Sequence, residues 1–156
     1  MSITDCTITE GQFRFNVLKK YTDSDDNKYG FYYEDCTGII KKLNYCANTN
    51  SFVGFVTKFS NGIPIPEYYK TDSYEQFKVW FANVQKSNLL NIYMFQILPS
   101  PGKLTSASPF LISAFGVDGT TSSIGIIYRW VHIFECCLKN QIRIIGFSTG
   151  NCVKYL

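Results

Sequence analysis

The sequence predicts a single α/β or α+β domain. Short runs of β-branched and aromatic residues bounded by turn residues predict strands, and two longer segments with apolar residues three and four apart predict helices. Their order along the chain is hairpin, helix, strand, strand, helix, strand, which is typical of a sheet with flanking helices.

Length and composition agree with a folded domain. The chain has 156 residues, of which 46% are hydrophobic and 17% aromatic, so disorder is not expected for most of it. No stretch approaches the roughly 18 consecutive apolar residues of a membrane span, and the N-terminus lacks the pattern of a signal peptide. We therefore expect a nuclear or cytoplasmic protein, not secreted and without a membrane partner, whose six cysteines are reduced rather than a disulfide framework.

The first predicted element is a β-hairpin that follows an acidic turn at residues 22–28. Its arms are YGFYYEDCTGIIKKLNY and SFVGFVTKF, and CANTN between them supplies loop residues such as Asn48 and Asn50. The first arm carries two adjacent carboxylates, Glu34 and Asp35.

A helix is predicted after residues 61–69, where two prolines and a glycine interrupt any regular element. Ser73 suits the N-cap and Gln76 follows three residues later, as in a capping box. The apolar side chains expected to dock this helix fall on one face, at Phe77, Trp80, Phe81 and Val84.

The second half predicts two strands, at residues 91–98 and 108–116, then a second helix and a last strand. In the helix, Ser122 or Ser123 suits the cap, Lys139-Asn140 the end, and the periodic apolar residues are Ile124, Ile127, Tyr128, Val131, Phe134 and Leu138. The last strand, with Ile142, Ile144, Ile145 and Phe147, is expected to be buried and to lead into a polar turn at 148–152.

Several chemical motifs can be weighed against ordinary structure. His132 and Cys136 share a helix face and could bind zinc with Cys137 or Cys152, but paired CxxC spacing is absent, so we favour a partly buried helix face. Gly116 and Gly119 precede a helix without Walker A or dinucleotide spacing, which favours a plain turn. With a single histidine and no GxSxG motif, hydrolase triads are not expected.

Two further functions stay open, namely metal binding by carboxylates and nucleic-acid binding by basic residues. Asp35 and Asp118 could hold Mg²⁺ or Mn²⁺, although alone they are ordinary surface acids. Residues 1–75 hold 8 Lys/Arg and 10 Asp/Glu, a net charge of −2, whereas residues 76–156 hold 7 and 2, a net charge of +5. This basic second half permits contact with a phosphate backbone, and Lys78, Lys86, Lys103 and Lys139 also suit a solvated face.

Four segments in the same order and spacing resemble a known group of proteins. They are EDCTGIIKKLNYCANTNSFVGFV, PFLISAFGVDG, YRWVHIFECC and IRIIGFST, which together resemble transposon-derived invertebrate proteins related to P-element-type transposases. The likeness runs from about residue 30 to the end of the chain. It divides the chain into an N-terminal extension at 1–29 and a partial transposase core at 30–156.

The resemblance implies an RNase H-like mixed sheet with flanking helices, incomplete at the C-terminus. In such a core, carboxylates on neighbouring strands hold two divalent metals that activate water or a DNA 3′-hydroxyl. Asp35 looks like the first of these ligands, and the second should follow GFST, where the family reads approximately Ser-Thr-Asp-Gly-Asp. Here Gly150 stands at the position of that acid, and Cys152 at the position of another.

The resemblance therefore implies a degenerate or domesticated transposase fragment without strand-transfer or nuclease activity. No cofactor is expected, and Mg²⁺ or Mn²⁺ would serve if activity remained. The remaining partners would be DNA, bound without sequence specificity, or a sister transposase chain or second copy. The alternative is a non-catalytic protein-interaction module whose aromatic residues, such as Tyr68, Tyr69, Trp80 and Phe81, pack against a partner.

Overall fold

The structure is a computed structural model that describes residues 8–24, 27–100, 102 and 108–150. The described residues form three helices and eight strands, in this order: α1 (Phe15–Asp23), β1 (Tyr29–Gly38), β2 (Asn44–Cys46), β3 (Ser51–Val53), β4 (Phe59–Ser60), β5 (Ile63–Pro64), α2 (Tyr74–Asn83), β6 (Leu89–Ile97), β7 (Phe110–Val117), α3 (Ser123–Lys139) and β8 (Arg143–Thr149).

Four strands form the main sheet, in the order β7-β6-β1-β8. The β7–β6 and β6–β1 pairs are antiparallel, and the β1–β8 pair is parallel. Because β7 and β8 lie at opposite edges, the chain crosses the sheet between them, and α3 is that crossover. The sheet is therefore mixed, and the predicted combination of strands and helices is confirmed.

The core lies on one face of this sheet because side chains alternate along each strand. In β1 the buried residues are Gly30, Tyr32 and Glu34, and their neighbours in sequence point to the other face. Residues from β6, β7, α1, α3 and the α3–β8 connection complete the cluster: Leu18, Tyr93, Phe95, Ile97, Phe110, Ile112, Phe115, Val117, Ile133, Cys137 and Ile142.

The first helix was not predicted from the sequence. It is short and lacks a side-chain cap, yet Leu18 and Thr22 are fully buried. Glu10, just before it, accepts hydrogen bonds from the backbone N–H groups of Gly116 and Gly54 (2.9 and 3.4 Å). Residues 8–24 therefore pack on the same core as the main sheet.

The predicted hairpin is partly right. β2 and β3 pair on either side of residues 47–50, as expected for the CANTN loop. Most of the proposed first arm is wrong, however, because residues 29–38 form a separate strand, β1, which pairs with β6 and β8, and only residues 44–45 of that arm belong to β2. The inward side chains of β1, Tyr32 and Glu34, find their contacts in the main core.

Both predicted helices of the central and C-terminal regions are present, with the expected caps. Ser73 Oγ accepts from the Gln76 N–H (3.3 Å), and Ser122 Oγ accepts from the Gly125 N–H (3.2 Å). The docking of α2 is weaker than expected, since none of its residues is buried. Phe81 is 52% exposed although it was predicted to face inward.

The apolar stripe that predicted α3 lies on its outer face. Its six residues, Ile124, Ile127, Tyr128, Val131, Phe134 and Leu138, are 40–54% exposed, whereas the inner face carries Gly125, Ile126, Arg129, Ile133 and Cys137. The helix is thus apolar on two faces. The last strand was also expected to be buried, which is wrong for Ile145 and Phe147, because β8 is an edge strand and these side chains are 50% and 44% exposed.

Two sequence expectations concern the membrane and the cysteines. Among the described residues, no helix combines the length and apolar character needed to cross a membrane. Cys36, Cys46, Cys136 and Cys137 are free thiols, and the remaining two cysteines lie outside the described residues.

Candidate functional site

The parallel pairing of β1 and β8 brings together Asp35 and Gly150, the two positions identified by the resemblance. Glu34 and Thr149 are register partners, and the Gly150 N–H donates to the Glu34 carbonyl oxygen (2.8 Å). A Cβ atom placed on Gly150 would overlap Oδ1 of Asp35. Asp35 and position 150 are therefore direct neighbours where the two strands end.

Of these two positions, only residue 35 carries a carboxylate. Its side chain is exposed, and Oδ1 accepts a hydrogen bond from the Cys36 N–H (2.9 Å). A two-metal site requires several oxygen ligands that converge on one phosphate, and a single aspartate beside a glycine does not fit that requirement. Cys152, at the position of another family acid, lies outside the described residues.

The neighbouring carboxylate, Glu34, points the other way. It is 2% exposed and faces the core beneath α3. Oε1 accepts from Asn91 Nδ2 (2.8 Å) and from the Tyr93 hydroxyl (2.6 Å), and Oε2 accepts from Trp130 Nε1 (2.8 Å). Two adjacent acids in β1 therefore occupy opposite faces of the sheet and differ completely in environment.

A buried arginine completes this polar centre. Arg129 is fully buried, and its Nη1 lies 4.0 Å from Glu34 Oε1. Nη1 also donates to the Tyr93 hydroxyl (2.6 Å), while Nε donates to the Gly62 carbonyl (2.7 Å). The guanidinium packs against the rings of Phe59 and Phe115, at 4.8 and 5.2 Å from their centroids. Arg129 thus joins α3 to the main sheet and to the β4–β5 turn.

Tyr93 connects the two charges. Burial raises the pKa of its hydroxyl well above the ordinary value, so the hydroxyl stays protonated and can donate to Glu34 while accepting from Arg129. Within the described part of the chain, Arg129 Nη2, Asn91 Oδ1 and the Tyr32 hydroxyl have no hydrogen-bond partner. We call Glu34, Asn91, Tyr93, Arg129 and Trp130 the buried polar centre.

Sequence reasoning noted Glu34 as one of a pair of acids but missed the buried polar centre. Its members come from β1, β6 and α3, which are distant in the chain. One available signal was the helical spacing of α3, because Arg129 falls between Ile126 and Ile133 on a face that is otherwise apolar. A charged residue on such a face requires a partner inside the core.

Two of the residues considered as zinc ligands, His132 and Cys136, lie close together. Cys136 Sγ lies 3.7 Å from Nε2 of His132, so the two side chains share a helix face as predicted. Cys137 points into the core instead, where burial raises its pKa to about 12. Among the described residues no group of three or more His, Cys, Asp or Glu side chains could hold a metal ion.

The loop before α3 behaves as a turn. Asp118 Oδ1 accepts from the backbone N–H and the hydroxyl of Thr120 (2.9 and 2.6 Å). Asp118 follows β7, which is two strands from β1, or roughly 10 Å at the usual strand spacing. The structure therefore does not bring Asp118 and Asp35 into one site.

The proposed aromatic interaction residues do not form one exposed surface. Tyr69 is 6% exposed and its hydroxyl donates to the Val56 carbonyl (2.8 Å). Trp80 packs edge-on against that ring, while Tyr68 and Phe81 are exposed.

A larger apolar surface lies elsewhere, on α3 and the neighbouring edge strand. Phe147 of β8 stacks on Trp130 and contacts Phe134, with ring centroids 5.9 and 6.5 Å apart, which makes the two elements continuous. We call this the α3 surface, and it consists of Ile124, Ile127, Tyr128, Val131, Phe134, Leu138, Ile145 and Phe147.

No family model, curated protein or solved structure matches this chain.

The buried polar centre generates a prediction about stability. Glu34→Gln and Arg129→Met should each lower the free energy of unfolding by about 3–5 kcal/mol, because each leaves a buried charged group without its partner. The double variant should lose at least about 1 kcal/mol less than the sum of the two, as expected for groups in contact. Chemical denaturation of the four proteins measures this coupling.

The matched control is Lys78→Met. Lys78 pairs with Glu75 at 2.8 Å on the exposed face of α2, where solvent weakens ion pairs, and the change should cost less than about 1 kcal/mol. Strict additivity of Glu34→Gln and Arg129→Met would contradict the proposed contact.

Proposed function

We propose that this protein is a non-catalytic relative of P-element-type transposases, built on an RNase H-like core. The observation that supports the proposal is the contact between Asp35 and Gly150. The resemblance assigns these two positions to the first and second metal-binding acids, and such acids must converge from neighbouring strands. Asp35 and Gly150 do lie side by side on β1 and just after β8.

The sheet topology is consistent with this proposal. β1 has an antiparallel neighbour, β6, on one side and a parallel neighbour, β8, on the other, with α3 packed over the sheet. A ligand pair split between β1 and the end of β8 would therefore face one phosphate from two adjacent strands.

Loss of catalysis follows from the residues at the site. Gly150 has no side chain to bind a metal, and Glu34 cannot replace the missing acid, since it lies on the opposite face and is held by three hydrogen-bond donors. One carboxylate cannot place two metal ions on a phosphodiester. The chain should therefore bind rather than cleave.

Nucleic acid is the first candidate for what is bound. The positive charge of the second half is partly committed, since Arg129 is buried and Lys78 pairs with Glu75. Lys139 and Arg143, on either side of the α3–β8 connection, are exposed. Few phosphate contacts imply weak, non-specific binding whose affinity falls with salt in proportion to the number of those contacts.

A protein partner is the second candidate, and a different observation favours it. The α3 surface exposes eight large apolar side chains in one continuous area. Patches of this kind are typical of protein interfaces.

The catalytic part of the proposal predicts no metal-dependent DNA cleavage. Purified protein incubated with labelled DNA and Mg²⁺ or Mn²⁺ should give the same background as the Asp35→Ala variant, because neither protein can assemble two metals. Asp72→Ala serves as an unrelated control on the surface. Cleavage by the wild type that disappears in Asp35→Ala and persists in Asp72→Ala would overturn the proposal.

The DNA-binding part predicts an affinity whose logarithm falls linearly with the logarithm of the salt concentration. The double variant Lys139→Gln, Arg143→Gln should bind more weakly and reduce the slope by about 1 for each lost phosphate contact. Fluorescence anisotropy with a labelled duplex over a salt series measures both. Lys70→Gln, on another part of the surface, is the matched control. Absence of binding at low salt would reject nucleic acid as the partner.

A further inference from the structure

The α3 surface is a continuous apolar patch, not a set of scattered exposed residues. Its eight residues, each 40–54% exposed, leave on the order of 700 Å² uncovered, which is comparable to the largest patch on a typical monomer, ~300–600 Å². A standard protein interface removes ~800 Å² from each partner. The α3 surface is thus of the size that one stable interface requires.

The stripe on α3 is also complementary to itself. The positions 124, 128, 131, 134 and 138 are symmetric about 131. If two copies of α3 lie antiparallel with Val131 at the centre, Ile124 faces the partner's Leu138 and Tyr128 faces the partner's Phe134. A two-fold interface requires this kind of self-complementarity, since the same patch serves on both sides.

The charged residues of α3 meet no like charge in this arrangement. Lys139 falls opposite the partner's Ser123, and Glu135 falls opposite the partner's Ile127, which is the one position at which the stripe is not complementary to itself. Arg129 is buried and turned away from the α3 surface. The two helix dipoles are antiparallel, which is the favourable orientation for neighbouring helices.

The edge strand β8 extends the α3 surface. On its outer side β8 has no neighbour among the described residues. The contact between Phe134 and Phe147 makes helix and strand one surface. A second copy that covers the stripe of α3 therefore also contacts Phe147 of the edge strand.

We propose that a second copy of this chain docks on the α3 surface, giving a homodimer with a two-fold axis at Val131. This inference rests on the protein-partner candidate above and names the partner. It does not depend on DNA binding or on the relation to transposases.

Sedimentation over a concentration series tests the proposal. The wild type should be a dimer, and Val131→Glu should raise its dissociation constant by about a hundredfold or more, because two like charges would meet on the axis. Val79→Glu is the matched control, since Val79 is also an exposed helical valine, at 53% against 49% for Val131. Circular dichroism and thermal unfolding show whether each variant is folded.

A charge-complementation experiment separates self-pairing from a loss of folding. Val131→Glu and Val131→Lys should each be monomeric, and an equimolar mixture should form dimers again, because position 131 meets itself across the axis. A wild type that stays monomeric, assembles beyond a dimer, or dimerises regardless of Val131→Glu would overturn the proposal. So would equal weakening by Val79→Glu, or a mixture that stays monomeric. DNA affinity and cleavage are read separately, so these outcomes leave the transposase proposal untouched.

Discussion

The pairing of Glu34 with Arg129 is the interaction on which the rest of the structure depends. Two charged side chains inside a core are tolerated when each has hydrogen-bond partners. Glu34 has Asn91, Tyr93 and Trp130, and Arg129 has Tyr93 and the Gly62 carbonyl. These contacts fix the position of α3 over β1 and β6, and they also attach the β4–β5 turn. Gly62 at that turn approaches Gly125 so closely that a Cβ would overlap the Gly125 carbonyl oxygen.

The position of α3 determines where β8 ends and which apolar face of α3 is exposed. Because α3 crosses from β7 to the opposite edge, β8 pairs in parallel with β1 and ends beside Asp35. The inner face of α3 is occupied by the buried polar centre and its apolar neighbours, so the second apolar face points outward. One helix thus determines that β8 ends beside Asp35, and it presents the surface proposed for a second copy.

The sequence predicted those elements that local chemistry specifies. The caps Ser73 and Ser122 and the turn around Asn48 and Asn50 are short-range features, and they were found where expected. The first helix was missed since it has no side-chain cap and depends on the burial of Leu18.

The features of the candidate site that the sequence did not predict were missed for a different reason. Periodicity shows that α3 has an apolar face but cannot show which of its two apolar faces is buried. Because Arg129 interrupts the inner face with a charge, the sequence pattern indicates the outer face instead. Likewise, adjacent acids in a strand must point to opposite faces, but only the tertiary structure shows that Glu34 is inside. The neighbourhood of Asp35 and position 150 was expected from the resemblance, and the parallel register of β1 and β8 agrees with it.

The measurement that most directly tests this account is Mn²⁺ binding by Gly150→Asp, followed by paramagnetic broadening of NMR signals. If position 150 is the place of a lost metal-binding acid beside Asp35, the variant should bind Mn²⁺ about tenfold more tightly than the wild type, equivalent to about 1.4 kcal/mol for one added carboxylate ligand. The broadening should centre on residues 35 and 150. Gly150→Asn, which has a similar shape without the charge, and Asp35→Asn in the Gly150→Asp background should both lack the gain. Unchanged affinity, or broadening centred elsewhere, would contradict the placement of the two positions in one site.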